Sequence, residues 1–138
     1  MDVEQTLRAH GLRVTRPRAA ALDVLAQGGH LTAEEVRRRV GERIGTVSVQ
    51  AVYDVLGALA RARLVRRIEP AGSATRYEAR AGDNHHHLVC RGCGRVVDVD
   101  CVVGQAPCLV PAGSEETGFV VDEAEVTFWG HCGECRGR

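Results

Sequence analysis

The sequence predicts an α+β chain in two parts, a helix-rich front part and a strand-and-cysteine back part. Three observations carry that reading. Capping residues mark a series of short helices in residues 1–80, and two strand-like runs follow them. All six Cys lie after position 89, and four of them form two C-x-x-C pairs. The charge divides at the same place: residues 1–80 carry 14 Arg against 9 acidic residues, while residues 81–138 carry 4 Arg against 9. A chain of 138 residues holds one domain or two small ones. The boundaries read as a front domain over residues 1–80, a hinge at 81–83 within the short polar join RAGD, and a back domain over 84–138.

In the front part, residues 4–10 form a first helix stopped at Gly11. Thr15 caps a second, Arg16 to Ala26, with Pro17 tolerated in its first turn, and Gly28 and Gly29 end it. Thr32 and Glu35 form a T-x-x-E capping box for a third helix reaching about Val40. Ser48 caps a fourth that runs to about Ala62. In it Val49, Val52, Leu56 and Leu59 recur at helical spacing as a buried stripe, with Gln50, Tyr53, Asp54 and Gly57 off it. Leu64 to Glu69 and Thr75 to Ala79 are strands of a hairpin turned by Pro70-Ala71-Gly72-Ser73.

This is the order of a winged helix-turn-helix, whose last helix lies in a DNA major groove. Gln50 and Tyr53 are the candidates for groove contacts. Arg13, Arg16, Arg18, Arg66 and Arg67 are the candidates for phosphate contacts, which fix position rather than sequence. A small helical domain with a solvated Arg surface fits the same pattern. The sequence has no Lys, so every basic contact is made by Arg.

In the back part, Cys90 and Cys93 (CRGC) and Cys132 and Cys135 (CGEC) place four thiolates for a tetrahedral Zn²⁺. The 38 residues between the pairs exceed the roughly 15–20 of a zinc ribbon, so structure lies between them. Residues 85–90 read as a strand, with His85 and His87 on one face and His86 on the other. Arg95 to Val99 returns as the next strand and brings Asp98 alongside. Two imidazoles and a carboxylate suit Fe²⁺, Mn²⁺, Ni²⁺ or Zn²⁺. Cys101 and Cys108 are either small buried apolar residues or a redox pair. Phe119 to Trp129 reads as a strand, with Ala124, Val126 and Phe128 on one face and Glu123, Glu125 and Thr127 on the other. One face of that strand and its neighbours is open to a core or a dimer interface.

Several function classes are disfavoured. No apolar run reaches the ~18 residues a membrane span needs. The opening MDVEQTLRAHGL lacks the basic start and apolar stretch of a secretory signal. The chain therefore reads as cytoplasmic and without a membrane partner, and its cysteines as metal or redox residues rather than a disulfide framework. A zinc deaminase needs an H-x-E stretch and an open zinc position. His85-His86-His87 is followed by no Glu, and four Cys would close the zinc, so no enzyme is expected.

Taken in order, RVTRPRAAALDVL (13–25), HLTAEEV (30–36), VSVQAVYDVLGAL (47–59), ARLVRRIEPAGSATRYE (62–78), HHHLVCRGCGRVVDVD (85–100) and WGHCGEC (129–135) resemble the ferric uptake regulator (Fur) family over nearly the whole chain. VYDVL and the NHHH-x-x-C-x-x-C stretch look like its actinobacterial FurA/CatR type, a branch associated with peroxide sensing and catalase genes. The resemblance implies a metal-dependent repressor that binds double-stranded operator DNA as a homodimer. It implies a small α/β dimerisation domain behind the winged helix, with the four-cysteine zinc supporting the dimer. It further implies a regulatory site between the domains, whose ligands carry over to His30, Glu78, His85, His87 and Asp98 and hold Fe(II) or Mn(II).

In peroxide-sensing members Fe(II) reacts with peroxide and a liganding imidazole becomes 2-oxo-histidine, which points to His30 and His85 here. Asp98 resembles the peroxide-sensing branch and Glu78 the iron-responsive one. An iron-, nickel- or zinc-responsive repressor indifferent to peroxide is therefore the alternative. Pro107 and Pro111 imply that the family's usual helix between the back strands is short or broken. A further metal site on the opposite face of the strand, found in some members, is matched here by His86 alone. Gln105 stands where a carboxylate would be needed, so that site is not expected.

Overall fold

The computed structural model describes residues 2–70, 72–79, 85–101 and 107–137. The chain divides into two compact units, Met1–Gly82 and Asp83–Arg138. The expected hinge at 81–83 and Gln105 lie outside the described residues.

Unit one opens with α1 (Val3–Ala9) and α2 (Arg16–Ala26). The Thr15 hydroxyl accepts from the Arg18 backbone N–H at 3.2 Å, the cap that the sequence predicts for α2. α3 (Ala33–Ile44) starts with the full capping box: the Glu35 N–H donates to the Thr32 hydroxyl, and the Thr32 N–H to the Glu35 carboxylate. It runs beyond the expected Val40, continuing through Gly41 to end at Gly45, whose φ is 92°. α4 (Val49–Arg61) is capped by Ser48.

Val49 departs from the expected stripe of α4: it is 50% exposed, whereas Val52, Leu56 and Leu59 are buried. Val47, just before the cap, takes its place. It lines a small apolar cavity with Val52, Pro17, Ala21 and Val40, the arrangement of a hydrophobic staple. Leu7, Leu22, Leu25, Val36, Leu56 and Leu59 are wholly buried in the core of this unit. Each such Leu contributes about 1.5–3 kcal/mol over an exposed one.

The wing is a three-stranded sheet rather than a simple hairpin. β2 (Arg66–Ile68) and β3 (Arg76–Glu78) pair antiparallel, and β1 (Leu31–Thr32) adds to the other edge of β3 in the order β1-β3-β2. β1 is two residues long and overlaps the capping box, so no alternation announces it.

Unit two is built on β4 (His85–Cys90), β5 (Val96–Asp100) and β6 (Thr127–Gly130) in the order β5-β4-β6. β4 pairs antiparallel with β5 and parallel with β6. The helix after the prolines is the single turn α5 (Ser114–Thr117), flanked by Gly113 and Gly118 at φ 74° and 80°.

The strand expected over 119–129 is confined to 127–130. Its ladder ends at Val126, whose N–H donates to His86 Nδ1 at 3.3 Å instead of to a neighbouring strand. Upstream, Phe119 and Val120 are 75% and 93% exposed. Within it the two faces alternate as expected: Thr127 and Trp129 are half-buried, and Phe128 is exposed on the other face, opposite the exposed Leu88 in register. Among the described residues no helix is long and apolar enough to cross a membrane.

Candidate metal centres

The four-cysteine cluster grows out of the ends of the unit-two sheet. β4 delivers Cys90, and a turn closed by Gly94 N–H donating to the Cys90 carbonyl at 3.0 Å returns the chain into β5 and carries Cys93. Arg91 N–H donates to the Gly130 carbonyl at 2.7 Å, holding the end of β6 beside that turn. Cys135 N–H donates to the Cys132 carbonyl at 3.1 Å, so the second pair sits on a turn of its own. The Arg91 guanidinium lies 5.2 Å from the Trp129 ring centroid, a second tie between the two ends.

The four sulfurs all lie within 4.8 Å of one another. Cys93 Sγ and Cys132 Sγ are 3.8 Å apart. A tetrahedron with Zn–S bonds of ~2.3 Å has edges of ~3.8 Å, so the donor set and its size are compatible with a structural zinc. The backbone is also arranged for a thiolate. Cys132 N–H donates to Cys90 Sγ at 3.3 Å, and with the Cys93 N–H it draws the Cys90 thiol down to about 5, while hydrogen bonding with Cys132 and Cys90 pushes Cys135 up to about 12. Gly92 leaves the space this packing requires. A Cβ there would stand 3.0 Å from both Cβ and Sγ of Cys135.

The imidazole and carboxylate residues form groups within each unit. In unit one, His30 Nε2 lies 2.9 Å from Glu78 Oε2, with Glu78 buried and the His30 side chain 11% exposed. β1 explains the meeting: Leu31 stands opposite Tyr77 in the β1–β3 register, so His30 falls opposite Glu78 one step further. Arg76 holds the approach by donating from Nη1 to the His30 carbonyl at 3.1 Å.

In unit two, His87 stands directly opposite Asp98 across β4 and β5. Asp98 Oδ1 lies 3.4 Å from His87 Nε2 and 3.5 Å from His85 Nε2, and the two imidazoles meet edge to face with centroids 4.9 Å apart. Both histidines are buried. His86 faces the other way, with Nε2 3.1 Å from Cys108 Sγ. His86, Cys101 and Cys108 bring their ligand atoms within 4.8 Å of one another, a grouping that the sequence reading did not assemble. None of the six cysteines is in a disulfide. Burial and the Cys101 neighbour push the Cys108 thiol up.

The residues expected to contact DNA are distributed over unit one. Gln50 and Tyr53 are exposed on α4, and Gln50 Nε2 donates to Asp54 Oδ1 at 2.9 Å. Arg13 and Arg16 are exposed, and Arg18 is half-buried, donating to the Arg13 carbonyl at 2.9 Å. Arg66 is half-buried opposite Glu78 in the wing register. Arg67 is exposed and forms an ion pair with Glu69, so a phosphate would have to compete with that carboxylate.

Comparison with known proteins agrees with this architecture. The sequence model of the Ferric uptake regulator family matches residues 9–106. The chain is 53% identical over 134 residues to "Transcriptional regulator FurA" of Mycobacterium tuberculosis, covering 97% of this chain and 90% of that one. It superposes on the ferric uptake regulator of Vibrio cholerae with a TM-score of 0.72 at 27% identity, covering 95% of this chain and 100% of the other. A manganese-containing ferric uptake regulator from Pseudomonas aeruginosa gives a TM-score of 0.70 at 28% identity, covering 96% and 99%.

Proposed function

Because the chain belongs to the ferric uptake regulator family and is thereby a metal-responsive transcriptional regulator, we propose that it is a metal-dependent repressor that grips operator DNA as a homodimer and lets go when peroxide oxidises its regulatory site. Residues 1–80 are the DNA-binding domain, 81–83 the hinge and 84–138 the metal-binding dimerisation domain. Cys90, Cys93, Cys132 and Cys135 hold a structural Zn(II). His30, Glu78, His85, His87 and Asp98 hold the regulatory ion, Fe(II) or Mn(II). The observation that supports this most is the convergence of the buried His85 and His87 on Asp98.

Each ligand has a part that follows from its surroundings. Alternation along β4 fixes His85 and His87 on one face, and the β5 register sets Asp98 between them. The ligating atoms are therefore ordered before an ion arrives. Three imidazoles and two carboxylates offer a borderline-to-hard donor set suited to Fe(II) and Mn(II), whereas the thiolate cluster favours zinc. Held by these residues, Fe(II) would supply redox chemistry towards peroxide that Mn(II) does not. His30 and His85 are the imidazoles that would be oxidised: overall, one peroxide places one of its oxygens on a ring carbon and the other leaves as water with the two hydrogens of the peroxide, and the oxidised ring would be a poorer ligand. Loss of the ion removes the constraint that sets α4 of each protomer into successive major grooves, and DNA affinity falls. Gln50 and Tyr53 read the groove, and Arg13, Arg16, Arg18, Arg66 and Arg67 hold phosphates.

The test is fluorescence anisotropy with DNA that the Mn²⁺-loaded protein selects from a random pool. Fe²⁺ and Mn²⁺ should both promote binding, and peroxide should release only the Fe²⁺ complex. Release by a chelator with no response to peroxide would assign the protein to direct metal sensing instead.

A further inference from the structure

A further imidazole–carboxylate site is not expected on the face of β4 opposite His85 and His87, but that face carries a different donor set, one imidazole and two thiols. His86 is 5% exposed and stands opposite Val99 of β5. Cys101, two residues beyond Val99, lies on the same side by strand alternation. Cys108 completes the group, its Sγ 3.1 Å from His86 Nε2. All three donor atoms lie within 4.8 Å of one another, and both cysteines are half-buried rather than open to solvent.

We propose that His86, Cys101 and Cys108 form a further metal site for a thiophilic d¹⁰ cation, Zn²⁺, distinct from the four-cysteine cluster and from the imidazole–carboxylate group. Two thiolates and one imidazole select Zn²⁺ over Fe²⁺ or Mn²⁺. Three protein ligands leave the fourth tetrahedral position to water, so the ion is exchangeable where a four-cysteine zinc is enclosed. The metal-free hydrogen bonds define what loading requires. A backbone N–H can only donate, so His86 Nδ1 accepts from Val126 and the ring proton sits on Nε2, directed at Cys108 Sγ. On loading, each thiol releases its proton and the ring proton moves from Nε2 to Nδ1. Two protons leave per ion bound, and the Val126 N–H gives up its acceptor. Because Val126 adjoins the start of β6, the ion is coupled to the end of that strand.

The experiment is an anaerobic titration of the full chain with Co²⁺, the four-cysteine zinc left in place. Expected is a thiolate-to-cobalt charge-transfer band that saturates at one ion per chain and is erased by Zn²⁺. Cys101→Ser and Cys108→Ser should each lose most of the band while keeping the wild-type zinc content and far-ultraviolet dichroism. If either Ser variant fails to fold, the corresponding Ala variant replaces it. Absence of the band in the wild-type chain would overturn the proposal. So would a full-strength band in Cys108→Ser, which would mean cobalt had entered the four-cysteine cluster. A Cys101–Cys108 disulfide that persists under reductant, with no cobalt uptake, would overturn it as well.

Discussion

His30 Nε2 lies 2.9 Å from Glu78 Oε2, and the two residues are 48 positions apart in the chain. They meet because β1, only two residues long, docks on β3 in the register that sets them opposite each other. A buried carboxylate beside an imidazole is a costly arrangement unless a charge partner completes it. Glu78→Gln keeps the shape and removes the charge. The expected outcome is Mn²⁺-dependent DNA binding weakened about 10–100-fold in Mn²⁺ requirement, as for other groups that support a metal site. Anisotropy titrations over a range of Mn²⁺ concentrations read this directly, and an unchanged midpoint would remove Glu78 from the site.

Gly92 is set against Cys135 with no room for a side chain. Gly92→Ala should displace Cys135 and weaken zinc retention about tenfold. Competition with a chromogenic chelator measures it, with Gly133→Ala as the control, since a Cβ at Gly133 meets nothing within 4 Å.

Arg63 follows α4 in the left-handed region at φ 60°. The bonds from Arg63 N–H to the Ala60 carbonyl and from Leu64 N–H to the Leu59 carbonyl, both 3.0 Å, form a Schellman motif, whose first residue beyond the cap favours Gly. Arg63→Gly is expected to stabilise unit one by about 1 kcal/mol by removing the left-handed penalty on a side-chain-bearing residue. Chemical denaturation followed by helical dichroism checks it, and a loss of stability would show that the Arg63 side chain contributes more than its backbone costs.

Tyr77 is buried in unit one, and burial raises its phenol above the ordinary value. The sign follows from linkage. The unfolded chain loses this proton first, near pH 10, so the contribution to stability is complete below that pH and falls as pH rises towards the folded value. Tyr77→Phe should flatten this alkaline loss, measured by denaturation at a series of pH values from 8 to about 11.

The elements that a side-chain rule announces were legible in the sequence. Thr15, the Thr32–Glu35 box and Ser48 mark the starts of α2, α3 and α4 where the structure has them. The alternation of residues 85–90 separates His86 from His85 and His87, as the contacts of the three rings bear out. What escaped depends on pairing at a distance. β1 has too few residues to show a period. The strand expected over 119–129 follows its hydrophobic pattern only where β4 offers an edge, and a histidine ring ends the ladder at Val126. Val49 fits the helical period but lies in the first turn, where Val47 fills the groove instead. The grouping of Cys101 and Cys108 with His86 has no fixed spacing, since it joins a strand interior to residues beyond the next strand's end.

The central claim is that peroxide acts through the imidazoles of the regulatory site. Peptide mass spectrometry of the Fe²⁺-loaded protein after brief peroxide exposure, beside a Mn²⁺-loaded control, tests it most directly. The account predicts one added oxygen on the peptide carrying His30 or His85, in the Fe²⁺ sample only, rising in step with DNA release. Both peptides unmodified while DNA is released, or DNA still bound after peroxide, would contradict it.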